Sequence, residues 1–239
     1  MSWFSAGRSC WVRRNGKMPK KTGIAMLAVG AVLILSALLL FFHNRQEDVQ
    51  AGQEAESLLA NVEAVIDAQA TREPTPAGTE IPGTTPTSSA TPLDPEMPVV
   101  ELDGYEYVGY VEIPALELKL PVMSEWDYNR LKIAPCRQFG SSRTDDLVIA
   151  AHNYQNHFGR LKDLQTGNAV IFTDMEGVIN TYSIEKIETL NPSEVDAVQN
   201  SGYDLVLYTC TKGGKTRVTV FCNREEIAAP SPAPTPMEK

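Results

Sequence analysis

Residues 206–221 read VLYTCTKGGKTRVTVF. Two runs rich in β-branched and aromatic residues flank Gly213–Gly214, the pattern of a tight β-hairpin. With the turn centred on the two glycines, residues whose numbers sum to 427 face each other, so Cys210 lies opposite Arg217. A slip of one residue would send those side chains to opposite faces. The hairpin therefore fixes both a fold element and a juxtaposition of thiol and guanidinium.

Working outward, the segments YEYVGYVEIP, LELKLPVM, DLVIAAHN, NAVIFTD and VINTYSIEKIETL have the same Val, Ile, Tyr and Thr character. Turn residues separate them: Pro114, Pro121, Gly140, Gly167 and Gly177, the last at the positive-φ position of a hairpin in TDMEGVI. One helix is expected after Asn191, with Pro192 at its first position, Glu194 closing a capping box and Gly202 ending it. A single further turn fits SEWDYNRL. Many short strands and one or two short helices predict a mainly β fold of sandwich or barrel type. Closure is favoured because it removes exposed edges.

This domain occupies residues 99–226. It follows EPTPAGTEIPGTTPTSSATPLDPEMP, a Pro/Thr-rich linker over 73–98 that lacks the apolar residues for a core. A Pro-rich tail covers 227–239. Residues 43–72 place Val49, Leu58, Leu59, Val62, Val65 and Ile66 at helical spacing and read as a solvated juxtamembrane helical stalk.

IAMLAVGAVLILSALLLFF, residues 24–42, is free of charge and about long enough to cross a ~30 Å hydrocarbon core. A cleaved signal peptide is the alternative, but the run is longer than an ordinary h-region and no convincing cleavage site follows. Residues 1–23 form a basic segment with six cations and no acid. The whole chain is at −9, so everything after residue 23 carries −15. The positive-inside rule then places the N-terminus in the cytoplasm and the domain outside the plasma membrane. An acidic bulk of this kind excludes a nucleic-acid partner.

Outside the membrane lie Cys136, Cys210 and Cys222, an odd number, so pairing within the chain leaves at least one thiol free. Whether Cys136 and Cys222 pair is open. A cysteine nucleophile needs a base that can later return its proton, and a donor for the oxyanion. His152, at the end of an apolar strand, and Arg217 supply these groups; Arg224 is a rival arginine. Taken singly, each has a plainer reading, as a packed thiol, a loop imidazole and a solvated cation. No HExxH, CxxC or HxH spacing is present, and His152 with His157 makes a poor metal pair, so no metal or cofactor is expected. Glu185, Glu188 and Glu194 are loose acids that calcium would need; a solvated face is the simpler reading.

Three segments resemble motifs of the sortases, membrane-anchored cysteine transpeptidases of Gram-positive surfaces. Val206-Leu207-Tyr208-Thr209-Cys210 resembles the family's TLxTC strand end, with Val in place of the first Thr. Arg217-Val218-Thr219-Val220 matches its R-φ-x-φ strand, and Ala151-His152-Asn153 its GHN-like strand end, with Ala for Gly. VEIPALELKLPV and HFGRLKDLQTGNAVIFTD are supporting matches, so the resemblance covers about 105–223 in the right order. It implies a closed β-barrel of about eight strands preceded by one transmembrane helix. It also implies a nucleophile Cys210, a general acid/base His152 and an oxyanion or substrate-orienting Arg217. Thr209 and Asn153, beside them, are expected to bind substrate. The implied reaction is cleavage of an LPxTG-like sorting motif through a thioester. The acyl group then passes to an amine of a peptidoglycan precursor or a pilin. The short helix argues against the sortase class with a long helix before the cysteine strand and leans to class A or D. A hydrolase on the same residues, or a non-catalytic surface module, are the other readings.

Overall fold

The computed structural model describes residues 20–70 and 94–225. The N-terminal basic segment up to residue 19, the linker from 71 to 93 and the tail from 226 lie outside the described residues. The chain divides into two compact units, 1–46 and 47–239. In the first, the described residues belong to helix α1 (Lys20–Ala70), whose most apolar 18-residue window has a mean hydropathy of 2.8. It is the one helix among the described residues long and apolar enough to cross a membrane.

The second unit contains the rest of α1 and nine strands. They are β1 (Val100–Leu102), β2 (Tyr105–Ile113), β3 (Leu118–Met123), β4 (Cys136–Phe139) and β5 (Leu147–Ala151). Then come β6 (Ala169–Asp174), β7 (Ile179–Leu190), β8 (Leu205–Cys210) and β9 (Arg217–Arg224). Neighbours run β2-β3-β4-β5-β8-β9-β7-β6, and β6 pairs again with β2. Eight strands therefore close into a barrel, and β1 adds only a short hairpin partner to β2. Two junctions are parallel, β3–β4 and β5–β8; the others are antiparallel. The second of these carries the site.

Period-2 alternation sends Leu147, Ile149, Leu205, Leu207, Val220 and Cys222 into the barrel, where they meet Val111, Phe172 and Tyr182. The opposite face of the same strands presents Val148, Val206 and Phe221, covered by Leu190 at the end of β7 and by Val198 and Tyr203 of the β7–β8 connection. That connection departs from its expected form. Glu194 does reach back to the Asn191 N–H (2.5 Å), half of a capping box, but only α2 (Asp196–Gln199) is helical. Burying Val198 and Tyr203 on the sheet takes precedence over extending a helix whose last residues are Asn and Ser. Gly177 and Gly202 take positive φ at the predicted turns, and a 3-10 turn at Arg130–Lys132 overlaps the end of SEWDYNRL.

The stalk reading also changes. Ala51, Ala55, Val62 and Ile66 of α1 are buried on the barrel, the last two against Tyr107, Met123, Cys136 and Met175. Asn61 donates to Asp103 (2.9 Å) and Glu63 pairs with Lys119 (2.5 Å) at the edges of this contact.

Where the described chain resumes, Arg143 holds it. Its Nη1 donates to the carbonyls of Asp94 (3.1 Å) and Glu96 (3.3 Å), and its Nη2 to Asp174 (2.8 Å) and Glu176 (2.5 Å). Met97 is buried beside it, against Ser142.

Candidate active site

The β8–β9 pairing has the register read from the Gly-Gly turn: Leu205 faces Cys222, and Cys210 faces Arg217. Gly213 and Gly214 both take positive φ, at 87° and 71°. Thr211 and Thr216 close the loop, with their hydroxyls 2.8 Å apart. On the other side of β8, parallel β5 pairs Ala151 with Thr209. His152, one residue beyond the end of β5, thus comes level with Cys210, and neighbouring strands lie roughly 4.8 Å apart. By alternation, His152, Cys210 and Arg217 fall on one face, opposite to Ala151 and Thr209. Three adjacent strands end in a row of imidazole, thiol and guanidinium.

Each member has a distinct environment. Cys210 is partly exposed, whereas Cys136 and Cys222 are buried and unpaired. The three thiols are therefore separate, and the open question of a Cys136–Cys222 disulfide is answered by two free cysteines. Burial pushes the Cys136 thiol up to about 11 and that of Cys222 to about 12, so neither is a nucleophile at neutral pH. The Arg217 Nη1 donates to the carbonyls of Gly214 and Thr216, both at 3.1 Å, which tethers the guanidinium to the turn. Its other N–H groups make no hydrogen bond among the described residues.

The His152 Nδ1 lies 3.1 Å from the Asn153 Oδ1 and 3.0 Å from the Asn153 backbone N. The backbone N–H can donate to Nδ1 only when that nitrogen is bare; the amide oxygen can accept from it only when it carries a proton. Asn153 thus serves the imidazole in both protonation states and leaves Nε2 for other work. Asn153 bears on His152 in this arrangement, and Thr209 faces inward: its buried hydroxyl donates to the Ala151 carbonyl at 2.8 Å, tying β8 to β5. The inward parity that aligns Cys210 with the rim is what turns Thr209 away from it.

Arg224, the rival arginine, stands at the far end of β9, about 23 Å along the strand from Arg217. Its Nε donates to Asp145 (2.9 Å), and its Nη groups to Asn180 and Ser142. It is committed to a structural network.

A cleft of about 200 Å³ opens beside Arg217 between the outer sheet face and the β7–β8 connection. Leu190, Pro192, Val195, Val198 and Phe139 supply apolar walls; Tyr208, hydrogen-bonded to Gln138, and Trp126 border it. Burial raises the Tyr208 phenol to about 12, partly offset by the Arg217 charge. Sequence reasoning missed these wall residues, since a connection read as a capped helix gives no sign of which side it turns to the sheet. It also missed Tyr154, whose ring stacks on His152 with centroids 4.3 Å apart and planes 6° from parallel. The aromatic two residues after the histidine, in HNY, was the available signal.

Among the described residues no three His, Cys, Asp or Glu side chains gather as a metal site. Glu188 pairs with Lys186 (2.8 Å) and Glu194 with Asn191. His157 is buried beneath α1.

A closed mixed barrel with a reachable thiol between an imidazole and a guanidinium has the layout of a cysteine enzyme built on a β-sheet rim. Residues 111–225 match the family profile described as the Sortase domain, and the domain belongs to the sortase family. Among solved structures, the chain is similar to a lid mutant of sortase A from Corynebacterium diphtheriae (20% identity, TM-score 0.45). That alignment covers 51% of this chain and 71% of the other. Sortase C1 from Streptococcus suis aligns at 24% identity and TM-score 0.45, over 52% and 75% of the two chains. A sortase D5 transpeptidase from Clostridium perfringens aligns at 21% and 0.45, over 50% and 79%. No curated protein matches the chain.

Proposed function

We propose that this protein is a cysteine transpeptidase that cleaves an LPxTG-like sorting motif in surface proteins and transfers the acyl fragment to an amine. The observation that supports the reading is the register across β5, β8 and β9: Cys210 faces Arg217, and the Ala151–Thr209 pair immediately precedes His152 and Cys210. The Cys210 sulfur, as thiolate, attacks the scissile carbonyl. Arg217 donates to the resulting oxyanion, and His152, as imidazolium, protonates the departing amine as the C–N bond breaks. A thioester remains. An incoming amine gives a proton to His152, attacks the thioester carbonyl and expels the Cys210 thiolate, forming a new amide. The cleft beside Arg217 suits an apolar residue of an extended peptide running along the outer sheet face. The acceptor is a peptidoglycan-precursor or pilin amine. The helix over 24–42 anchors the enzyme with its N-terminus in the cytoplasm and its barrel at the wall face.

The test uses the full chain in detergent, with a panel of fluorogenic sorting-motif peptides, with and without an amine acceptor, beside Cys210→Ala. The expected outcome is an amine-ligated product and a thioester visible by mass spectrometry, both lost in the variant. Cleavage that no amine diverts would make the enzyme a hydrolase. Turnover that survives Cys210→Ala would sink the mechanism.

A further inference from the structure

The loop after β5 is held by α1. Asp48 accepts from the Asn156 backbone N–H (3.4 Å), and the Asp48 carbonyl accepts from Asn156 Nδ2 (3.1 Å). A Cβ on Gly52 would stand 2.7 Å from that Nδ2, so the helix backbone approaches the loop as closely as glycine permits. His157, next in the chain, is fully buried, and neither ring nitrogen has a hydrogen-bond partner of ordinary geometry. Its ring meets the edge of Tyr154 at 5.5 Å and 61°. Tyr154 in turn lies flat on His152.

We propose that Tyr154 is a positioning residue for His152, and that α1 residues 48–55 hold it there through Asn156 and His157. This rests on the reading of His152 as the acid/base of Cys210. The imidazole must turn its free Nε2 to the level of Cys210 while Nδ1 stays with Asn153. Those contacts pin one edge of the ring and leave its tilt about that edge open. A parallel ring at stacking distance fixes the tilt, as stacked aromatic pairs commonly do. Tyr154 sits on a loop, and a loop side chain is only as fixed as what it rests on. Here it rests on a buried ring, His157, packed under the helix. Burial favours the neutral form of the His157 ring, which serves here as a flat filler. Helix, His157, Tyr154 and His152 make one continuous stack of contacts from the docked helix to the rim.

The test compares wild type, Tyr154→Phe, Tyr154→Leu and Gly52→Val in the full-length protein in detergent. Two readouts are used: peptide turnover, and the pH profile of Cys210 alkylation by iodoacetamide with His152→Ala as reference. Alkylation needs no sorting peptide, so it decides this inference even where no peptide is turned over, an outcome that would count against the proposed reaction alone. Tyr154→Leu should lower kcat tenfold or more with KM within about threefold, and move the alkylation profile towards that of His152→Ala. Tyr154→Phe, which keeps the ring, should stay within about threefold of wild type in kcat. Gly52→Val leaves the stack's own residues unchanged and should shift the profile in the same direction by forcing helix and loop apart; it decides the matter if Tyr154→Leu does not fold. A wild-type alkylation profile in folded Tyr154→Leu, or in Gly52→Val, overturns the proposal. So does a Tyr154→Phe variant as impaired as Tyr154→Leu, since the ring would then not be what matters.

Discussion

Thiols separate cleanly at the scale of single residues. Cys210 is the partly exposed one of the three in the barrel, and the other two are buried with raised pKa values. In a Cys10→Ser background, which leaves these three, a thiol reagent at pH 7.5 should label one equivalent in the native protein and three in denaturant. Two fast-reacting thiols in the native fold would contradict the burial of Cys136 or Cys222. Much of this was legible beforehand. An alternating strand with a Gly-Gly turn has a register that can be counted, so the Cys210–Arg217 pairing follows from local pattern alone. The inward turn of Thr209 follows from the same counting, since it neighbours Cys210 and must face the other way. The stacking of Tyr154 does not follow, because a ring in an irregular loop has no period to place it.

Helix α1 shows where pattern reading runs out among the elements. The sequence stripe takes in Val62 and Ile66, which are buried, together with the exposed Val49 and the partly buried Leu58 and Val65, but it misses the buried Ala51 and Ala55. Alanine adds little to an apolar stripe but lets a helix backbone come close, so a docked face rich in small residues looks like a solvated one. The parallel neighbour of the cysteine strand was equally hidden, because β5 and β8 are joined by more than fifty residues of intervening chain, and only the closed sheet brings them together. The docked helix has a pH dependence of its own. Burial draws the His157 pKa from 6.5 down to about 4, against the opposing influence of the Ala51 backbone and Asp48. The folded state holds this ring neutral while the unfolded chain takes up a proton below pH 6.5. Stability from this group is thus complete above pH 6.5 and lost progressively down to about pH 4, by about 3 kcal/mol at most. Urea unfolding at pH 7 and 4.5 should show His157→Phe losing less stability on acidification than wild type. Equal losses would mean that His157 is not the responsible group.

For the molecule as a whole, the eight-strand closure and the single apolar helix agree with the composition: short β-rich runs, Gly and Pro between them, and one uncharged span near the N-terminus. Arg143 shows how closure and chain path are joined, since it binds both the segment at 94–96 and Asp174, at the end of the strand that closes onto β2. Asp174 is fully buried and also accepts the N–H groups of Glu176 and Val178 (2.9 and 3.0 Å). Removing the guanidinium strands that charge, so Arg143→Met should cost about 3–5 kcal/mol in urea unfolding. Glu176→Gln, at the half-exposed partner, should cost about 1 kcal/mol or less. Comparable losses in the two variants would show that the buried pair has no special weight. The same clasp has a mechanical consequence. Between Ala70, where α1 ends, and Asp94 run 23 residues of chain, whose full extension is at most about 80 Å. A pull along α1 is borne first by the docked helix face, which can peel away without breaking a covalent bond. The load then passes through the following chain to the Arg143 clasp at the closing strand, away from the strand ends at His152, Cys210 and Arg217. A pull on the helix would therefore loosen the loop that carries Tyr154 before any force reached the strand ends at His152 and Cys210.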